Sequence, residues 1–264
     1  MNAYLKSLLV FISFILYNET CKLITEYLII NKYIYLNQNY IYVIDIIINI
    51  PLLLILYFLI RKNNHSFFLE NKKNKSLLIY TILLCLAFKI GTIPIMHLEF
   101  ILGEKKIGAP LPSFSPIFIL LSFVSMVILI PLVEEIIFRK VILSFFGKKQ
   151  LMKGILFSSF LFLLAHYGYK RHINIQIINI LFLGLITGTL YTKYGFLYNY
   201  VFHMAYNLFW YILNFNRKEY SDLLSYLNFD YRYWLIVIMG IAVFFYLTVK
   251  LKLLPQKSSY QLHN

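Results

Sequence analysis

Residues 114–146 read FSPIFILLSFVSMVILIPLVEEIIFRKVILSFF, an apolar run whose only charged residues are Glu134, Glu135, Arg139 and Lys140. A helix needs about 20 apolar residues to cross a bilayer core, so this run is a membrane span. It is too long for a straight crossing, and Pro131 predicts a kink or an extension beyond the membrane. Carboxylates at such depth cost a few kcal/mol each, about 3 on insertion scales, and are kept where they face a protein interior or a wet cavity. Consecutive helical residues point about 100° apart, so the two acids cannot share one task. Glu135 and Arg139 stand four apart on one face, acid first, the favourable order for an ion pair. Glu134 is left without a partner, and it is the carboxylate in which chemistry is expected.

Similar runs fill the chain on both sides. Its 264 residues are 60% apolar and only 14% charged, where a soluble domain is about a quarter charged. Candidate spans cover 5–30, 40–60, 76–98, 114–146, 151–167, 173–194, 196–214 and 233–253. The fold class is therefore all-α, a polytopic transmembrane helical bundle of about eight spans, without repeats or a sizeable soluble domain. The first run follows Lys6 and lacks a small-residue cleavage site, so it reads as a retained span and not a signal peptide.

The net charge of +14 forms no compact basic motif; no nucleic acid is expected as a partner, and the basic residues read as loops beside an anionic lipid leaflet. Lys and Arg are denser on the side of the N-terminus, the 61–75 and 147–153 connections, Lys193 and the C-terminal tail. The other side holds Lys32, Lys105, Lys106, Lys170, Arg171 and a 215–232 loop that also carries Glu219, Asp222 and Asp230. Both termini are expected in the cytoplasm. The abundance of Ile, Asn, Lys and Tyr points to an AT-rich coding sequence, and so to the cytoplasmic membrane of a low-GC bacterium. Cys21 and Cys85 sit singly in apolar runs and form no metal or redox motif.

Two more polar patterns follow. Phe162 and His166 are four apart, as are His203 and Asn207, so each pair shares a helical face. Counted from the basic side at about 1.5 Å per residue, Glu134 lies roughly 18 Å deep, His166 roughly 20 Å and His203 roughly 12 Å. Three helices thus carry ionisable groups to a similar level, and a shared polar cavity is the simplest account. Gly184 and Gly188 between them form a small-residue face for close helix approach.

The order Glu134-Glu135-x-x-x-Arg139, Phe162-x-x-x-His166, a Gly-rich span, then His203-x-x-x-Asn207 resembles the CPBP family of intramembrane proteases (CAAX protease and bacteriocin-processing, also called Abi). The resemblance covers 133–207. It implies that residues 113–214 form the catalytic helical core, with N-terminal transmembrane helices over 1–112 and a last loop, final span and cytoplasmic tail over 215–264. It implies that Glu134 and His166 activate the attacking water, and that His203 and Asn207 complete the site by stabilising the oxyanion. Glu135 and Arg139 would be a structural ion pair. Such an endopeptidase would cleave membrane-associated peptides, for instance pheromone or bacteriocin precursors, and its cavity would open toward the cytoplasmic half or laterally to lipid. No Ser or Cys stands at a matching position, so no acyl-enzyme is expected.

Zinc is the open alternative, with Glu134, His166 and His203 as ligands. The chain lacks the His-Glu-x-x-His helix that puts two ligands and a base on one face, and the preferred mechanism requires no metal. Two other readings compete: a transporter or channel in which Asp45, Lys89, Glu134 and the histidines line an ion path, and a non-catalytic bacteriocin-immunity or regulatory membrane protein. Lys89 has no role in the protease reading.

Overall fold

A computed structural model of the chain describes residues 2–30, 38–62, 74–101, 114–167 and 177–253. Lys32, Lys72, Lys73, Lys105, Lys106, Lys170, Arg171 and most of the C-terminal tail, all used in reading the orientation, lie outside the described residues. Nine helices account for nearly all of the described residues, among which there is no strand: α1 Ala3–Ile30, α2 Gln38–Lys62, α3 Lys75–Met96, α4 Pro116–Phe145, α5 Leu151–Tyr167, α6 Ile177–Tyr194, α7 Phe196–Phe215, α8 Arg217–Leu227 and α9 Tyr231–Lys250. A single turn, Leu98–Ile101, follows α3.

The helix starts have local causes. Asn74 accepts from the Leu77 amide at 3.2 Å, Ser115 from the Phe118 amide at 3.2 Å with Pro116 in the first turn, and Asp230 from the Arg232 amide at 2.8 Å. Gly195 alone separates α6 from α7. It takes φ 90°, a value that side chains with a Cβ rarely adopt, so the chain reverses within one residue.

All of α1 to α7 and α9 coincide with predicted spans. Five stretches are long and apolar enough to cross a membrane: Ala3–Tyr27, Lys75–Ile95, Pro116–Phe145, Ile177–Tyr194 and Tyr231–Lys250. α5 has 17 residues, and α7 carries Asn199, His203 and Asn207; bundle-facing polar groups lower its hydropathy. The 215–232 segment differs from expectation. In place of the expected loop α8 forms there, with Tyr220, Leu224 and Leu227 packed on Tyr233 and Val237 of α9. The i, i+4, i+7 spacing of those three residues is the signal for an amphipathic helix.

α4 accommodates Pro131 by widening. It is π-helical over Val124–Leu129 and Ile136–Ile142, on either side of an α-helical Ile130–Glu135. Pro131 has no N–H to give, and a π turn shifts the backbone register so that carbonyls become available to other donors. α7 supplies those donors: Tyr200 to the Ile128 carbonyl at 3.1 Å and Asn207 to the Met126 carbonyl at 2.9 Å.

The helices alternate in direction. One face of the bundle holds the start of α1, the end of α2, the start of α3, the end of α4, the α5 start, the α6–α7 turn and the end of α9. Contacts knit it together: Tyr4 meets Phe146 and Phe157 edge-on, and Tyr194 donates to the Leu251 carbonyl at 2.6 Å. At the opposite face, His97 after α3 bonds Tyr220 of α8 at 2.7 Å and Tyr233 of α9 at 3.3 Å. α6 packs between α5 and α7, and α3 between α7 and α9. The core is centred on Phe138 of α4, whose ring meets Phe14 of α1 at 6.0 Å and Phe162 of α5 at 5.2 Å.

Candidate active site

Glu134 and Glu135 end the α-helical stretch of α4, and the turn of about 100° between them sends their carboxylates to different neighbours. Glu135 is fully buried. Its Oε2 accepts from Arg139 Nε at 3.2 Å and from Asn199 Nδ2 at 2.5 Å, and its Oε1 accepts from His203 Nδ1 at 2.8 Å. The Arg139 guanidinium is buried as well. It donates to Ser158 of α5 at 2.7 Å and to Thr187 of α6 at 3.2 and 2.9 Å, and it stacks on Phe162 at 5.3 Å. Burial of this pair is compensated because every strong donor and acceptor has a partner.

Glu134 faces the other way, with its side chain 13% exposed. Oε1 lies 3.6 Å from His166 Nε2, and Oε2 lies 3.6 Å from His203 Nε2. Both separations are too long for direct hydrogen bonds and suit a bridging water. The far side of each ring sets its tautomer. His166 Nδ1 lies 2.9 Å from the Phe162 carbonyl, which can only accept, so Nδ1 carries the proton. His203 Nδ1 likewise donates to Glu135. In their neutral forms both histidines therefore present an Nε2 lone pair toward Glu134. The Phe162 ring is wholly buried and touches both, at 4.4 Å from His166 and 5.7 Å from His203.

The structure thus brings together Glu134, His166 and His203 from three helices, as the depth count predicts. Asn207, the fourth residue implied by the resemblance, lines the same cavity one turn beyond His203 and has one N–H engaged by Met126. The sequence reading missed Asn199, although Asn199, His203 and Asn207 recur at intervals of four and so share one face. It also missed Ser158 and Thr187. Hydroxyls within apolar helices carry no such signal, because they bond their own backbone equally well, as Thr187 does to the Leu183 carbonyl at 2.9 Å.

A cavity of about 760 Å³ opens from these groups. α4 lines it with Met126, Ile130, Val133 and Glu134, and α7 with His203, Tyr206, Asn207 and Trp210. The opposite wall comes from α1 and α2, whose Asn18, Lys22, Glu26, Asp45 and Asn49 are polar. Lys89 stands behind the α7 wall. Its ammonium, 3.2 Å from the centre of the Tyr206 ring and 4.8 Å from that of Trp210, has no hydrogen-bond partner among the described residues. Glu134, His166 and His203 are the groups a metal would use, but among the described residues no set of three or more His, Cys, Asp or Glu is arranged to hold one.

Residues 116–209 match the family described as type II CAAX prenyl endopeptidase, Rce1-like. The match starts at the first residue of α4 and ends just past Asn207, so it takes in the whole Glu–His constellation and leaves out α1 to α3. No curated protein and no solved structure matches the chain.

Proposed function

We propose that this chain, which carries the CAAX endopeptidase match over residues 116–209, is an intramembrane endopeptidase that hydrolyses membrane-associated peptides or proteins with a water activated by Glu134 and His166. One observation carries the proposal: both oxygens of Glu134 face a histidine Nε2 at 3.6 Å at the wall of a 760 Å³ cavity. A water between Glu134 and His166 can give its proton to Glu134 as its oxygen attacks the peptide carbonyl. Glu134 then passes that proton to the leaving amine. His166 Nε2 accepts the second hydrogen bond of the water and so orients it. His203 is held by Glu135 through Nδ1; as an imidazolium, with a proton taken from cavity water at Nε2 before the attack and kept through the cycle, it donates that N–H to the oxyanion. The remaining N–H of Asn207 is the second donor.

The test compares Glu134→Gln with the unaltered chain, using mass spectrometry of membrane peptides and the yield of monodisperse protein. Cleavage is expected to vanish while the yield stays near normal, because the substitution removes the base and little volume. Equal cleavage by both chains would rule the mechanism out. Metal use is decided by exhaustive chelation with metal analysis: the water mechanism expects activity to persist. Stoichiometric zinc, with activity lost on chelation and restored by zinc, would instead make the histidines ligands.

A further inference from the structure

We infer that substrate enters the cavity from the extracytoplasmic side of the membrane, so that the natural substrates are exported peptides or the outward-facing segments of membrane proteins. The identity of the cavity as a protease site rests on the function proposed above; its orientation does not.

Two independent observations meet here. The first is where the cavity runs. α1 contributes to it from Phe14 to Glu26, near its end at Ile30, and α2 contributes Ile44 to Asn49, near its start at Gln38. α5 contributes only Ala165 and His166 in its last turn, and α6 contributes Asn179 to Leu183 near its start. From Glu134 the α4 wall runs back through Ile130 to Met126, toward the start of that helix. Phe14, Ile15, Val133 and Glu134 stand near mid-helix at the inner end of the cavity, and the other positions lie toward the face opposite the N-terminus of α1. Charged Lys22 and Glu26 stand at that end, where contact with water stabilises them. Of the two expected openings, toward the cytoplasmic half or laterally to lipid, this differs from the first.

The second observation is charge. Among the described residues, ten Lys and Arg lie near the helix ends of the face that holds the start of α1, with no acid beside them. The opposite face has four, interspersed with six acids. The excess of Lys and Arg marks the cytoplasmic face. The cavity therefore points away from the cytoplasm. An outward cavity with a polar mouth suits an extended peptide segment arriving from water, with Glu134 at its inner end.

The experiment uses the full chain with Cys21→Ala and Cys85→Ala, carrying either Glu26→Cys at the cavity mouth or Lys149→Cys on the basic face. A membrane-impermeant sulfonated maleimide is applied to intact cells and to inverted vesicles. Glu26→Cys is expected to react in intact cells, and Lys149→Cys only in inverted vesicles. The reverse pattern overturns the inference. Lys22→Cys serves as a second mouth position if Glu26→Cys folds poorly. For substrate access, processing of membrane peptides by the Glu26→Cys chain is compared before and after external labelling. At least a tenfold loss is expected, and undiminished processing by the labelled chain also overturns the inference. Cleavage that persists in Glu134→Gln would defeat the mechanism while leaving the labelling pattern as expected, so the two failures are distinct.

Discussion

Glu134 and Glu135 differ by one position, and that position decides their partners. Glu135 closes a network with Arg139, Asn199 and His203, whereas Glu134 meets only the two histidines at 3.6 Å. Glu135→Gln leaves Arg139 buried beside a neutral amide, whose single oxygen cannot accept both from His203 and from the Arg139 and Asn199 donors. Breaking a buried ion pair costs about 3–5 kcal/mol, so folded yield and thermal stability in detergent should both fall, unlike in Glu134→Gln. Matching stability of the two variants would show that the network does not hold the helices together. Asn207 has given one N–H to the Met126 carbonyl. Asn207→Ala should therefore reduce turnover less than His203→Ala, for which about a hundredfold loss is expected, the low end for an acid–base or oxyanion group. A larger effect of Asn207→Ala in steady-state kinetics would reverse the ranking. Lys89 is buried, with the rings of Tyr206 and Trp210 and the Cys85 thiol near its ammonium and no hydrogen-bond partner among the described residues. Cation–π attraction of about 2 kcal/mol offsets part of the desolvation of a charge. Lys89→Met keeps the volume, so a Tm equal to or above that of the unaltered chain is expected. A clear fall would mean that the ammonium is worth more than its burial costs.

At the scale of elements, the π turns of α4 and the close α3–α9 crossing are what the spans alone did not reveal. A proline within a long apolar run signals a fault in the helix; the structure resolves it by a widened turn before Pro131 whose Met126 and Ile128 carbonyls α7 uses, and a second widened turn follows whose Phe138 carbonyl accepts from Ser158 of α5. α3 and α9 approach through Gly91 and Gly240. A Cβ on Gly240 would lie 2.6 Å from Ile90 Cγ2 and 2.9 Å from the backbone nitrogen of Gly91, so one of the helices has to move. Overpacking of this kind typically costs about 1–3 kcal/mol. Gly240→Ala should therefore lower the unfolding temperature in detergent, and an unchanged Tm would show that the two helices slide apart freely.

Across the whole molecule, the proposed catalytic groups and the polar wall that faces them have different origins. α4, α5 and α7 supply Glu134, His166 and His203, all within the matched segment, while α1 and α2 lie outside it and supply the facing polar wall. If the proposed mechanism holds, the polar wall of α1 and α2 touches substrate and not the reacting water. Asn18→Leu together with Asn49→Leu should raise KM by several-fold and leave kcat within about twofold, the pattern of lost uniform binding. A fall in kcat with KM unchanged would place these residues in the reaction itself.

The all-α bundle was legible in the sequence because each helix in a bilayer must satisfy its own backbone, so the apolar run length reports it directly. The depth of Glu134, His166 and His203 was legible for the same reason: helical rise is constant, and position along the chain converts to depth. The pairing of Glu135 with Arg139 follows from spacing on one helix. Contacts between helices follow no such spacing. Asn199 on Glu135, Thr187 and Ser158 on Arg139, Phe162 between both histidines and the aromatic rings around Lys89 all depend on how helices rotate and cross. The same is true of the cavity. The sequence sets the level at which the acids and histidines lie, and packing alone decides which end of the bundle opens above them, because that depends on which helices splay and which close.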